Sequence, residues 1–227
     1  MIKIVIPASG VGARFGAGIP KQFTELKGEP ILKRTISAFQ CLDFVDEIAV
    51  AVPQGYAQTV ASYGFDKVRH IIEGGENRAS SVYAALKMLP ADTEIVLIHD
   101  GVRPLVTDRL VQAVADAVKQ HGAAIACAPV TDTIKQTNQN SKITATLDRN
   151  QLWSAQTPQG FTYSLIMEAF AQAEKDGVLA HVTDDSALAE RLDIPVYVVR
   201  SSPANIKITT PEDLVIAKAM LAVNPLI

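Results

Sequence analysis

The chain has 227 residues, 48% of them hydrophobic, and a formal net charge of −3 at pH 7. This composition suits one α/β domain with a sizeable core, and the acidic balance argues against a general nucleic-acid-binding protein. No stretch approaches the roughly 20 apolar residues of a membrane helix, and the N-terminus does not resemble a secretion signal, so we expect a cytoplasmic protein without membrane association.

The first predicted strand, Lys3–Pro7, runs into a loop of small residues that carries Arg14 and Lys21. Small residues let backbone N–H groups approach a ligand, and two cations supply charge, so the loop is typical of a polyphosphate site. The spacing does not match the dinucleotide fingerprint, because Phe15 stands at the third glycine position. It is not a Walker A loop either, since no Gly-Lys-Ser/Thr follows. The alternative is a glycine-rich turn with two solvated cations.

Strands alternate with helices through the first half of the chain. The predicted strands are Lys3–Pro7, Glu47–Val52, Lys67–Ile72, Glu94–His99 and Ala123–Ala128, and the predicted helices are Ile31–Cys41, Asn77–Leu89 and Asp108–His121. Buried apolar runs in this βαβ order predict a mainly parallel sheet that is covered by helices on both faces.

The alternation ends after Pro129. The polar segment Thr131–Leu147 predicts a β-hairpin with little core of its own, which needs a partner surface. The remaining predictions are a loop at Leu152–Phe161, a helix at Tyr163–Asp176, a helix beginning near Asp185, a strand at Ile194–Val199, an extended segment at Asn205–Thr209 and a helix at Pro211–Leu221.

The cysteines and histidines do not suggest a disulfide or a metal site. Cys41 and Cys127 lie in apolar surroundings, so we expect both to be small core residues. The four histidines show no metal-binding spacing.

Polar clusters follow the third and fourth predicted strands, at the sheet edge where ligands bind in open parallel sheets. The first cluster runs from Gly74 to Ser81 and opens a helix, so it fits either a ligand or a simple helix cap. The second cluster runs from His99 to Pro104. In it, Asp100 could hold a hydroxyl or Mg²⁺, and Arg103 could pair with Asp100 or with phosphate. The alternative is an Asp-Gly turn with a surface ion pair. We expect His99 to be a hydrogen-bonded residue at a strand end.

Cations recur near predicted loops and strand ends, and as a set they indicate a phosphate-rich substrate. They are Arg14, Lys21, Arg103, Arg149 and Lys207. Phosphoryl and nucleotidyl transfer depend on positioning and charge stabilisation, which such cations supply. No nucleophile elbow or Ser-His-Asp order supports acyl transfer.

Motifs of one enzyme family occur in order between residues 6 and 214. They are PASGVGARFG with PKQF, GGENRASSV, HDGVRP, APVTDTIK, LDRNQLWSAQTPQGF, TDDSALAE and NIKITTPEDL. The chain therefore resembles the 2-C-methyl-D-erythritol 4-phosphate cytidylyltransferase family over nearly its whole length. The glycine-rich loop alone would indicate only the wider sugar-nucleotidyltransferase superfamily.

The resemblance implies an α/β fold with a single Rossmann-like nucleotidyltransferase domain over residues 1–227. Its mostly parallel sheet would carry residues 131–150 as an inserted, protruding β-arm for dimerisation. The implied reaction transfers a cytidylyl group from CTP to 2-C-methyl-D-erythritol 4-phosphate and releases pyrophosphate. Mg²⁺ would be the cofactor and would be carried by the triphosphate, with no certain metal ligand in the protein.

The resemblance also implies roles for individual residues. Arg14 and Lys21 would neutralise the triphosphate, and Lys207 and Arg149 would hold the substrate phosphate, with Arg149 supplied by the other subunit of a homodimer. Nucleotide-binding positions would be Ala8, Ser9, Gly10, Gly75, Glu76, Ser81, Asp100 and Gly101. Positions near the polyol phosphate would be Asp100, Arg103, Thr133, Thr157 and Thr183.

Other functions are weighed against this one. Ribitol 5-phosphate cytidylyltransferases share the Asp-x-Val-Arg-Pro motif, whereas the run Asp148–Trp153 favours the methylerythritol phosphate enzyme. A nucleotide-binding regulatory protein without catalysis is disfavoured by the intact cations Arg14, Lys21, Arg149 and Lys207. A nicotinamide dehydrogenase is disfavoured by the glycine spacing.

Overall fold

The computed structural model describes residues 1–10 and 18–223. In these ranges the strands are β1 (Ile2–Pro7), β2 (Glu25–Leu26), β3 (Glu29–Pro30), β4 (Val45–Val52), β5 (Val68–Glu73), β6 (Ile95–Ile98), β7 (Ala123–Pro129), β8 (Lys135–Thr137), β9 (Ile143–Thr146), β10 (Trp153–Thr162) and β11 (Tyr197–Arg200). The α-helices are α1 (Ile31–Gln40), α2 (Ala57–Ala61), α3 (Arg78–Leu86), α4 (Asp108–His121), α5 (Tyr163–Lys175), α6 (Ser186–Glu190) and α7 (Pro211–Val223).

The described strands form one large sheet in the order β11-β7-β10-β6-β1-β4-β5. β10 is antiparallel to both of its neighbours, and the other pairings in this sheet are parallel. The prediction of a mostly parallel α/β sheet is therefore confirmed. Strand order reverses at β1, which lies between β4 and β6, and in open sheets such a reversal leaves a crevice at the carboxyl ends.

Helices cover both faces of the sheet. Because successive residues of a strand point to opposite faces, each central strand contributes side chains to both helix layers. On one face, Ile4 and Ile6 of β1 pack with Phe39 of α1 and with α4. On the other face, Val5 packs with α3, α5 and α6, where Phe170 is fully buried. The near-continuous apolar runs of the strands thus reflect burial on both sides.

Local sequence signals explain the ends of α4. The Thr107 side chain accepts a hydrogen bond from the backbone N–H of Leu110, and Asp108 lies in the first turn, where a negative charge favours the helix dipole. The helix ends at Gly122, which has a φ of 84°, a conformation that suits glycine. The predicted bounds of this helix are confirmed.

The segment Leu152–Phe161 is not a loop, and that prediction was wrong. It forms most of β10, which lies in the middle of the sheet between β6 and β7. The register with β7 shifts between Ala155 and Gln159. Pro158 therefore lies in an irregular stretch of the strand, where its missing N–H donor is tolerated. Gly160 is required by packing, since a Cβ there would lie 2.6 Å from side chains of Leu97 and Val118. Proline and glycine are typical of turns and loops, which is why the sequence of this strand predicted a loop.

Smaller differences concern the cysteines and the end of the chain. Cys127 is buried as expected, but Cys41 is exposed at the end of α1, contrary to prediction. The strand predicted at Ile194–Val199 is displaced to β11, and the closing helix extends to Val223.

The predicted hairpin is confirmed. β8 and β9 form an antiparallel two-stranded sheet of their own. Most of its side chains are exposed, including Ile143 at 58%.

Candidate active site

A cavity of about 370 Å³ opens at the carboxyl ends of β1, β5 and β6, beside the reversal in strand order. Its walls include the predicted nucleotide-binding residues Ala8, Ser9, Gly10, Gly75, Glu76 and Asp100, together with the predicted cations Lys21 and Lys207. The structure therefore brings together residues from four distant parts of the sequence.

The rim of this cavity depends on the Ser81 hydroxyl. Its Oγ donates to the backbone carbonyl of Asn77 at 2.8 Å and accepts from the N–H of Gly75 at 3.0 Å. The Ser9 hydroxyl lies 2.7 Å from it. A Cβ at Gly74 would come within 2.1 Å of the Ser9 side chain, so the two loops approach through a glycine.

Lys21 is positioned by a short 3₁₀ turn at Lys21–Phe23. The next residue, Gln22, is buried and donates from Nε2 to the carbonyl of Ala8. This bond fixes the turn against the end of β1, so that Lys21 lines the cavity. The other predicted cation of this loop, Arg14, lies outside the described residues.

Among the described residues, three cations surround the buried carboxylate of Asp100. Arg78 Nε lies 3.1 Å from Oδ1, Arg103 Nε 3.2 Å from Oδ2, and Lys207 Nζ 3.1 Å from Oδ2. Burial alone would raise the pKa of Asp100, but the cations outweigh it and hold that pKa well below its usual range. Arg103 is itself buried and pairs with Asp100, which is one of the two partners predicted for it.

Arg78 links this cluster to α6. Its guanidinium makes a two-point ion pair with the fully buried Asp185, which directly precedes that helix. Burial would lower the pKa of Arg78, but Asp185 and Asp100 together raise it. Burial also raises the pKa of Asp185 from its ordinary value, against the opposing effect of Arg78.

A smaller cavity of about 110 Å³ adjoins the first. It is lined by the predicted acceptor-site residues Thr157, Thr183, Arg103 and Asp100, and by Lys207. The Thr157 hydroxyl accepts from the backbone N–H of Asp100 at 3.1 Å, so β10, which was predicted to be a loop, holds one wall of the site.

His99 supports this wall from within the core. Its Nδ1 lies 3.0 Å from Oγ1 of Thr157, and its Nε2 lies 3.0 Å from the carbonyl of Arg103. Burial lowers its pKa from 6.5 to about 4, so the ring is neutral at pH 7. The prediction of a hydrogen-bonded histidine at a strand end is confirmed.

Among the described residues, four predicted site residues line neither cavity, and Ser81, which holds the rim, is one of them. Arg149 and Thr133 are exposed on or beside the hairpin and line neither cavity. Arg149 donates from Nη1 to the carbonyl of Thr131 at 2.8 Å. Gly101 is buried behind the larger cavity, where a Cβ would lie 2.9 Å from that of Ala8. It allows close packing and lines neither cavity.

Sequence reasoning missed the roles of Arg78, Asp185, Gln22 and Asn205. Arg78 lies within the polar cluster from Gly74 to Ser81, and Asp185 follows another acidic residue, but no local pattern in the sequence indicates that the two side chains pair. Asn205 is buried and donates from Nδ2 to the carbonyl of Thr157 at 2.8 Å, while its own carbonyl accepts from Arg103 at 2.7 Å. The position of Asn205, a polar residue at the start of the predicted extended segment Asn205–Thr209, was the one available sign of this role.

The described residues offer no group of three or more His, Cys, Asp or Glu side chains arranged to hold a metal ion. Both oxygens of Asp100 already accept from cations, so this carboxylate is poorly suited to be a metal ligand. No helix in the described part of the chain is long and apolar enough to cross a bilayer.

Comparisons with known proteins agree on one family. Residues 2–223 match the family model described as IspD, 2-C-methyl-D-erythritol 4-phosphate cytidylyltransferase. The chain is 43% identical to the protein of that name from Syntrophus aciditrophicus, over 96% of this chain and 94% of the relative. It is 44% identical to that from Geobacillus kaustophilus, over 96% of each. The crystal structure of the Francisella tularensis protein of that name matches with a TM-score of 0.85 at 33% identity, over 97% of this chain and 99% of that one.

Proposed function

Because this chain belongs to the 2-C-methyl-D-erythritol 4-phosphate cytidylyltransferase family, we propose that CTP occupies its larger cavity and the acceptor phosphate its smaller one. The enzyme transfers a cytidylyl group from CTP to 2-C-methyl-D-erythritol 4-phosphate, giving 4-diphosphocytidyl-2-C-methyl-D-erythritol and pyrophosphate. One observation carries the assignment of the cavities: Arg78, Asp100 and Lys207 line both of them. The two substrates would meet at this shared wall.

The ribitol 5-phosphate alternative is not favoured. The matching family model and the relatives share the methylerythritol phosphate name over nearly the whole chain. The intact cation set also argues against a regulatory protein that has lost catalysis.

In the larger cavity, the base would lie against the loop after β5. The backbone groups of Gly75 and Glu76, held by Ser81, would pair with the cytosine edge, while Ala8, Ser9 and Gly10 would contact the nucleotide. Lys21 lines the same cavity and would neutralise the triphosphate together with Arg14. Cations aimed at the charge that develops at the α-phosphorus stabilise the transition state.

In the smaller cavity, Lys207 would hold the phosphate of methylerythritol phosphate for in-line attack. An oxygen of that phosphate forms a bond to the α-phosphorus of CTP, and the bond from the α-phosphorus to the bridging oxygen of pyrophosphate breaks. Lys207 is 38% exposed and pairs with Asp100, so it can turn from this carboxylate to an incoming phosphate. Thr157, Thr183 and Arg103 would shape the pocket around the polyol.

Mg²⁺ enters in this scheme as part of the Mg·CTP substrate. It would bind the phosphate oxygens of CTP, in keeping with the cation-saturated carboxylate of Asp100. Its charge would lower the repulsion between the triphosphate and the attacking phosphate.

We further propose one nucleotidyltransferase domain over the whole chain, with residues 131–150 as an arm that completes a homodimer. The arm exposes Ile143, and Trp153, which follows the arm in the sequence at the start of β10, is 40% exposed. These side chains offer apolar surface to bury against a second copy. Arg149 and Thr133 would then reach the acceptor site of the other subunit. We also propose a cytoplasmic location, where the highly charged phosphate substrates would be retained because they do not cross a bilayer unaided.

The test compares Lys207→Ala with Lys218→Ala, which removes an exposed lysine of α7. Pyrophosphate release is measured with CTP and methylerythritol phosphate varied in turn. We expect Lys207→Ala to lower kcat by about 10²-fold and to raise the KM for methylerythritol phosphate more than that for CTP. Lys218→Ala should behave as wild type. A larger change in the KM for CTP would reverse the assignment of the two cavities.

A further inference from the structure

Another cavity lies between the first turn of α4 and the segment that follows β11. Its volume is about 510 Å³, which exceeds the 370 Å³ of the nucleotide cavity. Arg109 of α4 and Arg200 of β11 both line it, and we call it the Arg109–Arg200 cleft. It has no lining residue in common with the two cavities of the active site.

The charge of this cleft is positive and uncompensated. Neither Arg109 nor Arg200 has an ion pair or side-chain hydrogen bond with the described residues, and no acidic residue among those described lines the cleft. Guanidinium groups bind phosphate by two parallel hydrogen bonds. Leu105, Leu110 and Ala113 give the cleft an apolar wall, so it suits a small organic phosphate better than a bare ion.

Two buried oxygens of residues that line the cleft also lack partners. Ser201 Oγ and Asn205 Oδ1 have no hydrogen bond in the described structure, and both residues line the cleft. The amide of Asn205 cannot simply be turned over, because its Nδ2 donates to Gln156 and to the carbonyl of Thr157. Buried polar atoms are normally hydrogen-bonded. A shift of the segment 201–205 on binding would open these two oxygens to a hydroxyl group of the phosphate compound and so give them the missing partner.

The cleft and the active site share one short segment. The carbonyl of Asn205 accepts from Arg103 at 2.7 Å, and Arg103 pairs with Asp100. Two residues further along, Lys207 lies 3.1 Å from the same carboxylate. A ligand that shifts Asn205 would therefore shift Lys207 as well.

We propose that the Arg109–Arg200 cleft is a regulatory site for a small hydroxylated organic phosphate. The phosphate group binds the two guanidinium groups, and a hydroxyl group binds at Ser201 and Asn205. Occupancy of the cleft changes the position of Lys207 and with it the affinity for the acceptor substrate. The effect on turnover rests on the role proposed above for Lys207, whereas binding in the cleft does not.

Calorimetric titration with sn-glycerol 3-phosphate tests this site. Saturating 4-diphosphocytidyl-2-C-methyl-D-erythritol is present throughout, so that the reaction product fills both catalytic cavities. Wild type is compared with Arg109→Gln, Arg200→Gln and Arg69→Gln. The last variant removes the same charge from an exposed residue of β5, at the opposite edge of the sheet.

We expect one binding event per chain in wild type and in Arg69→Gln. Arg109→Gln and Arg200→Gln should each weaken binding by at least about tenfold, because each loses a charge-assisted hydrogen bond. Methyl phosphate, which lacks the hydroxyl groups, should bind more weakly than glycerol 3-phosphate. The basal activity of both cleft variants should be unchanged, while glycerol 3-phosphate should alter the KM for methylerythritol phosphate in wild type alone.

Two results would overturn the proposal of the site. One is the absence of saturable binding to wild type below about 10 mM. The other is an equal loss of affinity in all three arginine variants, which would mean general charge attraction. Saturable binding that leaves every kinetic constant unchanged would overturn the regulatory role alone.

Discussion

Arg78 and Asp185 form a two-point ion pair between residues 107 positions apart: Nη1 donates to Oδ1 at 2.9 Å and Nη2 to Oδ2 at 2.7 Å. The Nε of the same guanidinium donates to Asp100. The start of α3, which follows the loop after β5, is thereby tied both to the start of α6 and to the shared wall of the two cavities.

Asp185→Asn should destabilise the protein by about 2–4 kcal/mol, because Arg78 keeps its charge while losing a buried partner. The free energy of unfolding is measured by chemical denaturation. The control, Asp176→Asn, removes an exposed partner of Arg191 and should cost less than about 1 kcal/mol. A harmless Asp185→Asn would mean that Asp185 is already protonated in the native state.

His99 predicts a pH dependence of stability. Its pKa is about 4 in the folded protein against 6.5 for the free side chain, so between these values the unfolded state binds the extra proton. Stability therefore rises with pH through this window and is flat above it. From pH 7 to pH 4 this one group should cost the folded state about 3 kcal/mol.

His99→Gln provides the comparison, because glutamine does not titrate. The variant should show a smaller loss of unfolding free energy between pH 7 and pH 4 than wild type, while the two proteins change in parallel between pH 7 and pH 8. Identical slopes below pH 6.5 would show that His99 is not buried in its neutral form.

Much of the fold can be predicted from local patterns. β1 and β7 are continuous apolar runs, and α4 carries its own cap at Thr107 and its stop at Gly122. β10 could not be predicted in this way. Its place between β6 and β7 depends on contacts between residues far apart in the sequence. Its Pro158 and Gly160 are residue types that are typical of turns, so the local sequence indicated a loop.

The site shows the same division. Lys21 and Asp100 follow strands and could be predicted from position, and Lys207 was singled out as a late cation. Pairing of Arg78 with Asp185 arises only when α3 and α6 meet in the folded chain, so no short segment reveals it. The hydroxyl of Ser81 is a middle case, since its place in the glycine-rich cluster indicated a ligand loop but gave no hydrogen-bond partner.

Ser81 should control the choice between CTP and UTP. Cytosine donates from an amino group where uracil has a carbonyl, so backbone carbonyls at Gly75 and Glu76 would favour CTP. We expect kcat/KM for CTP to exceed that for UTP by at least about 10²-fold. Ser81→Ala removes the acceptor of the Gly75 N–H and should reduce this ratio by about tenfold.

Ser80→Ala is the matched control, because its hydroxyl lies on the same helical turn but donates to Asn77. It should keep most of the preference for CTP. Comparable kcat/KM values for CTP and UTP in wild type would contradict the assignment of the cytosine to the loop after β5.

A mixture of two inactive variants tests whether the active site is shared between subunits. Lys21 lines the nucleotide cavity, whereas Arg149 is exposed beside the arm and lines neither cavity of its own chain. Lys21→Ala and Arg149→Ala should each lose about 10²–10³-fold in turnover, as expected when a charge-stabilising group is removed.

In a mixed dimer, one of the two sites receives Lys21 from one chain and Arg149 from the other. Random equal mixing should therefore restore up to about a quarter of wild-type activity. Subunit exchange is verified separately with a tagged chain, and exchange without any recovery of activity would mean that each site is built within a single chain.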